Sequence, residues 1–309
     1  INNAGSSATS QSFTLTAGLN EFTGGSGVDS FDASTTSNSL NDFDVLDGGD
    51  GIDTVTSKTT TSTNGGETLT PQLTNIERLT VTNTDSDNGA DTFTVNLAQA
   101  TSINDVSNIV SNDDVTFSNL VNMTALTVNS AQGSTTLEYD LATLAGTNNQ
   151  LITLKGTNST TVVLDDDNPG NTSVLETVTV NSIAVPNTLA ALTTTTVNAT
   201  KLAVTGDKLL TITAALDADI ATIDSSGSTG GLTLSNTPAA TVLTIVGGAG
   251  KETITATAAA NINLSGGAGN DTLNAGDNWN GYDVFDGGDG VDTLHVTADF
   301  EPLNEGPLS

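Results

Sequence analysis

Apolar residues fall at every second position in short runs along most of the chain. Arg78-Leu79-Thr80-Val81-Thr82, Thr92-Phe93-Thr94-Val95-Asn96, Ala125-Leu126-Thr127-Val128-Asn129 and Glu176-Thr177-Val178-Thr179-Val180 show the pattern. Leu202-Ala203-Val204-Thr205, Leu210-Thr211-Ile212-Thr213 and Gly231-Leu232-Thr233-Leu234-Ser235 repeat it. A period of two is that of a strand with one face buried. The Asn, Asp, Gly and Ser residues between the runs are turn formers. Short strands with few strong hairpin signals and a rough recurrence predict the rungs of a parallel coil. An antiparallel sandwich or barrel also shows many short strands, but the glycine-rich flanks favour the coil. The fold class expected is therefore all-β, a parallel right-handed β-solenoid with few helices. Around 97–109 and 189–192 the pattern allows a short helical turn.

Composition agrees with thin stacked rungs. Aromatic residues are 4% of the 309, too few for a large globular core but enough for a coil built on small aliphatic ladders. Lys and Arg number 6 against 36 Asp and Glu, a formal net charge of -30. So few cations cannot pair so many carboxylates, which points to metal ions as the counter-charge. Phosphate contacts need clustered basic residues, so nucleic acid is not expected as a partner. The absence of cysteine excludes disulfides, thiol catalysis and thiolate metal sites. No stretch approaches the roughly 20 apolar residues of a membrane-spanning helix. Because the chain begins at Ile1 with no leader-like segment, it is expected to be a piece of a longer or processed protein.

Five glycine-acid nonapeptides lie near the two ends. They begin at Gly24, Gly48, Gly247, Gly266 and Gly287, and all fit G-G-x-G-x-[DE]-x-U-x with U a large apolar residue. The glycines permit a tight turn that a Cβ would forbid. Such a turn directs carbonyl oxygens outward, the sixth residue adds a carboxylate, and the eighth begins a strand. One turn offers about half of the 6–8 oxygens that calcium takes, so two stacked turns are needed. The expected ligand set is Gly25, Gly27, Asp29, Asp47, Gly48, Asp50 and Asp53 near the start. Near the end it is Gly248, Gly250, Glu252, Gly266, Gly267, Ala268, Gly269, Asp271, Asp286, Gly287, Asp289 and Asp292. Asp44 and Asp283 belong to degenerate repeats, Asn41–Leu46 and Asn280–Phe285, assigned to the opposite edge. Several calcium ions are expected. Gly247 to Gly266 is 19 residues and Gly266 to Gly287 is 21, each about one full coil.

The two ends also match each other. Residues 24–55 and 266–294 share GGxGxD, a variable insert, then [FY]-D-V-[LF]-D-G-G-D-G-[IV]-D-T-[VL]. Their offset is 242 residues at the first glycines and 239 at Asp47 and Asp286, which implies a repeating module of about this length. Three segments follow: calcium-binding rungs at 1–56, a Thr-rich body at 57–245 and calcium-binding rungs at 246–309, in one continuous solenoid or one module of a longer protein.

The nonapeptides resemble the RTX repeat family. Leu73-Thr74-Asn75-Ile76-Glu77-Arg78-Leu79-Thr80-Val81 and Val174-Leu175-Glu176-Thr177-Val178-Thr179-Val180 resemble elements of RTX-type bacterial surface-layer proteins, as does 221–233. That resemblance implies a calcium β-roll, export by a type I system, folding on external calcium, and self-assembly at the bacterial cell surface. It implies copies of the chain itself as partners, and cell-surface polysaccharide through regions outside this chain. RTX adhesins and the non-catalytic tails of secreted hydrolases share the repeats and stand as alternatives. Glu252, beside Lys251, departs from the usual Asp, so that turn is expected to bind weakly.

Other constellations carry less. Asp85–Asp91 lacks the downstream bidentate acid of an EF-hand and reads as an acidic turn. Asp165–Gly170 reads as a solvated turn. His295 is the only histidine and follows a strand position, so a zinc site or hydrolytic triad is not expected. Trp279 and two tyrosines are too few to line a glycosidase groove. The sequons at Asn171 and Asn198 read as chance. The chain is thus expected to be structural rather than an enzyme.

Overall fold

The computed structural model describes all residues except 1, 4–8, 61–65, 85–90, 167–173, 195, 258–260, 277–278 and 298–309. The Asp85–Asn88 loop, the distal part of Asp165–Gly170 and the Asn171 sequon lie outside the described residues. Among the described residues every strand pairing is parallel, and the strands fall into sheets of 4, 11 and 13 members. The protein is an all-β parallel solenoid.

Alternation in the sequence becomes the inner and outer faces of each rung. In Thr92–Asn96, Phe93 and Val95 are buried while Thr92, Thr94 and Asn96 are not. The same residue class then stacks on the next rung: Val95 pairs with Phe117, and Val106 with Leu126. The result is one continuous apolar core along the coil axis. Phe13, Phe22 and Phe31 stack at its first rungs, with ring centroids 5.1 and 5.0 Å apart.

The 13-stranded sheet runs from Ser12–Thr14 to Val284–Asp286 and holds strands from all three segments. Its partner changes along the chain. The first turns alternate with the 4-stranded sheet, of Asn2–Asn3, Glu21–Thr23, Val45–Asp47 and Gln72–Thr74. The 11-stranded sheet begins at Glu67–Leu69, and after Gln72–Thr74, the last strand of the 4-stranded sheet, it takes over.

Two expectations fail. Leu189–Leu192 is no helical turn but lies within the strand Asn187–Thr193. The 97–109 segment is a run of turns followed by the strand Asp105–Ile109. Among the described residues there is no α-helix, and one 3-10 turn, Leu141–Leu144, is capped by Asp140.

Candidate metal centre

The nonapeptides form two stacks of turns. In each, a glycine of one turn lies on a carbonyl of the turn before. A Cβ added to Gly49 would sit 2.1 Å from the Gly25 oxygen, and one on Gly51 would sit 2.3 Å from that of Gly27. At the other end Gly267 lies on Gly248, Gly269 on Gly250, Gly288 on Gly267 and Gly290 on Gly269. Gly49, Gly51, Gly267, Gly269, Gly288 and Gly290 all adopt φ between 82° and 143°, where a side chain is strained. Ala268 and Asp289 form a parallel bridge in the second stack.

The acids at position six form ladders. Asp29 Oδ1 accepts the Gln11 N–H (2.6 Å), Asp53 Oδ1 accepts the Asp29 N–H (2.6 Å), and Glu77 Oε2 accepts the Asp53 N–H (2.8 Å). In the second stack Asp271 Oδ1 accepts from Glu252 N–H (2.8 Å) and Asp292 Oδ1 from Asp271 N–H (2.9 Å). Each carboxylate therefore ties its rung to the one before.

The second oxygen of Asp29, Asp53, Asp271 and Asp292 folds back over the first glycine of its own turn, and Asp29 Oδ2 there accepts the Gly25 N–H at 2.6 Å. A Cβ on Gly24 would lie 2.3 Å from both Asp29 Oδ2 and the Gly48 carbonyl oxygen. On Gly48 it would lie 2.4 Å from Asp53 Oδ2 and 2.1 Å from the Asn75 carbonyl. On Gly266 the distances are 2.2 Å to Asp271 Oδ2 and 2.4 Å to the Gly287 carbonyl. At three first glycines a carboxylate oxygen and a carbonyl oxygen thus come close together as a cradle, and those are the donor types a hard cation takes. Asp53 Oδ2, Asp271 Oδ2 and Glu252 Oε2 are buried with no hydrogen-bond partner. Leaving a carboxylate oxygen buried and unpaired is costly, and a cation removes that cost. The residues fit calcium in donor chemistry. Among the described residues no three acidic or imidazole side chains converge, so main-chain carbonyls would complete any coordination shell.

Electrostatics point the same way. Burial raises the Asp53 carboxyl above its ordinary pKa, and the charges of Asp29, Glu77 and Asp47 add to the rise. Burial likewise raises Asp271, with Asp292 contributing. Glu252 is pushed up to about 7 by burial and by Asp271. Among the described residues two ion pairs form, Lys201–Asp224 and Lys208–Asp207, both at 2.8 Å. Neither involves an acid of the nonapeptides.

Other predicted residues serve the turns differently. Asp47 Oδ1 and Asp286 Oδ1 accept the Gly49 and Gly288 N–H groups at 3.1 and 3.2 Å. Asp50 and Asp289 are exposed at the turn tips. Asp44 and Asp283 lie across the intervening strand from the glycine turns, and main-chain donors occupy both their oxygens. Asp44 accepts from Asn20 and Asn41 (2.9 Å each), Asp283 from Ile262 and Asn280 (2.7 Å each).

Sequence reasoning missed Asn75 and Glu77 as members of the first stack. They form its third turn without a glycine, because Asn75 itself takes φ 50°. The signal available was the 24-residue spacing of Asp29, Asp53 and Glu77. Ser225 and Ser228 similarly begin the second stack: their carbonyls cover Gly248, and the Ser225 hydroxyl donates to Glu252 Oε1 at 3.2 Å.

The two stacks lie on opposite edges of the 13-stranded sheet. The turns at Gly24 and Gly48 lead into its strands, whereas those at Gly247, Gly266 and Gly287 leave it for the 11-stranded sheet. Matching module sequences thus occupy different sheets. The architecture and turn stacks define the class of this protein as a parallel β-solenoid with ladders of buried acids. Family models, curated proteins and solved structures offer no match to the chain.

Proposed function

We propose that this chain is a calcium-stiffened structural solenoid of a bacterial cell surface, of the RTX surface-layer type, and not an enzyme. The observation that carries the reading is the meeting of a carboxylate oxygen and a main-chain carbonyl over the first glycines Gly24, Gly48 and Gly266, with Asp53 Oδ2 and Asp271 Oδ2 buried and unpaired. Calcium there would cancel repulsion within each acid ladder and clamp rung to rung. Its binding free energy would add to that of folding. In a medium poor in calcium the ladders would repel, and the chain would fold on reaching calcium outside the cell. Copies bridged through exposed acids such as Asp50 and Asp289 would then assemble into an array. The single histidine, His295, stands exposed on the last described strand, which supports a non-catalytic reading.

Calcium titration followed by circular dichroism and light scattering on one sample tests this. A rise in β-signal followed by chelator-reversible growth of large particles is expected. Folding without growth would favour the spacer of an adhesin. Indifference of both signals to calcium would defeat the reading.

A further inference from the structure

The sequence holds three Asn-Gly pairs, Asn64-Gly65, Asn88-Gly89 and Asn280-Gly281. With no Cβ on the second residue, its main-chain nitrogen is open to attack the side-chain amide before it. The first two pairs lie outside the described residues. The third sits in a turn that folds its amide toward that nitrogen. Asn280 Oδ1 accepts the Tyr282 N–H at 2.9 Å, so the side chain reaches over the Gly281 peptide. The Asn280 N–H donates to Asp283 Oδ2 at 2.7 Å, and the Asp283 N–H donates to the Asn280 carbonyl at 3.2 Å. Gly281 and Tyr282 are exposed, and nothing lies within 4 Å of a Cβ built on Gly281. Water therefore reaches this peptide.

The arrangement suits one reaction. The Gly281 nitrogen bonds to Asn280 Cγ and gives its proton to water. The Cγ–Nδ2 bond breaks, and the amide takes up a proton and leaves as ammonia. A succinimide ring remains, which water opens. Addition at Cγ restores the ordinary chain as aspartate. Addition at the main-chain carbonyl leaves isoaspartate, with the chain running through Cβ. Negative charge builds on Oδ1 as Cγ becomes tetrahedral, and the Tyr282 N–H already points at that oxygen. We propose that Asn280 is a self-deamidation site of the folded protein, and that its turn opens as it converts. Asp283 also holds the preceding rung, its Oδ1 accepting the Ile262 N–H at 2.7 Å, and leads into the strand Val284–Asp286. Either product places a new carboxylate beside Asp283, and the two charges repel. Isoaspartate also lengthens the main chain and shifts the carbonyl that accepts from Asp283.

The other module copy supplies a natural control. Asn41 Oδ1 accepts the Phe43 N–H at 3.1 Å, the Asn41 N–H donates to Asp44 Oδ2 at 2.9 Å, and the Asn41 carbonyl accepts the Asp44 N–H at 3.2 Å. The turn is the same, but Asp42 stands where the other copy has Gly281. Its Cβ crowds the attacking nitrogen. Its carboxylate opposes the loss of that nitrogen's proton, and the Thr70 N–H holds it in place at 2.6 Å.

The test is incubation of the whole protein at neutral pH in calcium buffer, with folding followed by circular dichroism. Samples are mapped at intervals by peptide mass spectrometry, with fragmentation that separates aspartate from isoaspartate. Asn280 should convert at least about tenfold faster than Asn41, a barrier lower by about 1.4 kcal/mol. Gly281→Ala, whose methyl meets nothing and whose φ is not positive, should slow conversion about tenfold with unchanged dichroism. Protein in urea loses the Tyr282 donor and should convert no faster than the folded chain. Hydrogen exchange over residues 283–286 should rise in step with isoaspartate. Equal rates at Asn280 and Asn41, conversion indifferent to Gly281→Ala, much faster conversion in urea, or unchanged exchange in converted protein would overturn the proposal. Because dichroism reports folding separately, failure here leaves the calcium reading standing.

Discussion

Gly48→Ala isolates the cradle. Gly48 does not adopt a positive φ, so alanine brings volume without torsional strain. The new methyl would lie 2.1 Å from the Asn75 carbonyl oxygen, 2.4 Å from Asp53 Oδ2 and 2.8 Å from Asp53 Cβ. Carbon contacts settle near 3.5 Å, so each neighbour must retreat by about 1 Å. Overpacking of this kind costs about 1–3 kcal/mol. Spread over a cooperative chain of this length, about 2 kcal/mol lowers Tm by only ~3 °C. In a solenoid the loss concentrates on neighbouring rungs, so hydrogen exchange by mass spectrometry is the sharper assay. Protection should fall across residues 21–83 while 200–296 is unaffected, and the number of bound calcium ions should drop. Gly281→Ala is the control: nothing lies within 4 Å of its added methyl, so stability should stay within about 0.5 kcal/mol. If Gly48→Ala matches that control in exchange and ion count, the cradle has no function. If exchange loosens while ion count holds, the packing argument survives and the metal assignment at this turn does not.

Glu252 gives a pH test. Its carboxyl sits at about 7 in the fold, above the ordinary 4.5, so without metal the folded state binds the extra proton. Its contribution to stability is then present below pH 4.5 and lost as pH rises through 7, by at most ~3 kcal/mol. Urea unfolding in chelator should show that decline; calcium, which favours the ionised form, should flatten or reverse it. Asp53→Asn keeps the Oδ1 acceptor for Asp29 but removes the unpaired anionic oxygen. It should leave stability in chelator unchanged or raised by about 1 kcal/mol, and lower it in calcium. The opposite pattern would argue against metal. Phe117→Ala empties a fully buried core position and should cost about 3–5 kcal/mol by denaturant unfolding, with or without calcium.

The strands were legible because alternation survives translation into rungs: Thr92–Asn96 and Ala125–Asn129 fold as their pattern reads. The misread segments are those where period two breaks. At Leu189–Leu192 the neighbouring Ala190 and Ala191 both face away from the core, and the register with Asn158–Asp166 shifts there. A bulge of this kind imitates helical spacing. Leu97, Ala100 and Ile103 are buried at intervals of three because successive turns link them, with N–H to carbonyl bonds from Ala100 to Leu97 (2.9 Å) and Ile103 to Ala100 (3.3 Å). The glycine turns were legible as turns, since few other residues tolerate their torsions. The acid ladders were not, because a one-dimensional motif does not say which main-chain donor a carboxylate will meet on the neighbouring rung. Nor did the pattern disclose that the two module copies occupy opposite edges, which depends on how many sheet crossings separate them.

Parallel stacking has a kinetic consequence. Each strand pairs with chain only 18 to 30 residues away, a relative contact order of roughly 0.08, near that of helical bundles rather than β-sandwiches. Loop closure is therefore short at every step, and a finished rung is the template for the next. A chain delivered end first can zip as it arrives, without waiting for its far terminus. Its growing tip then always presents a freshly formed strand edge to the chain that follows.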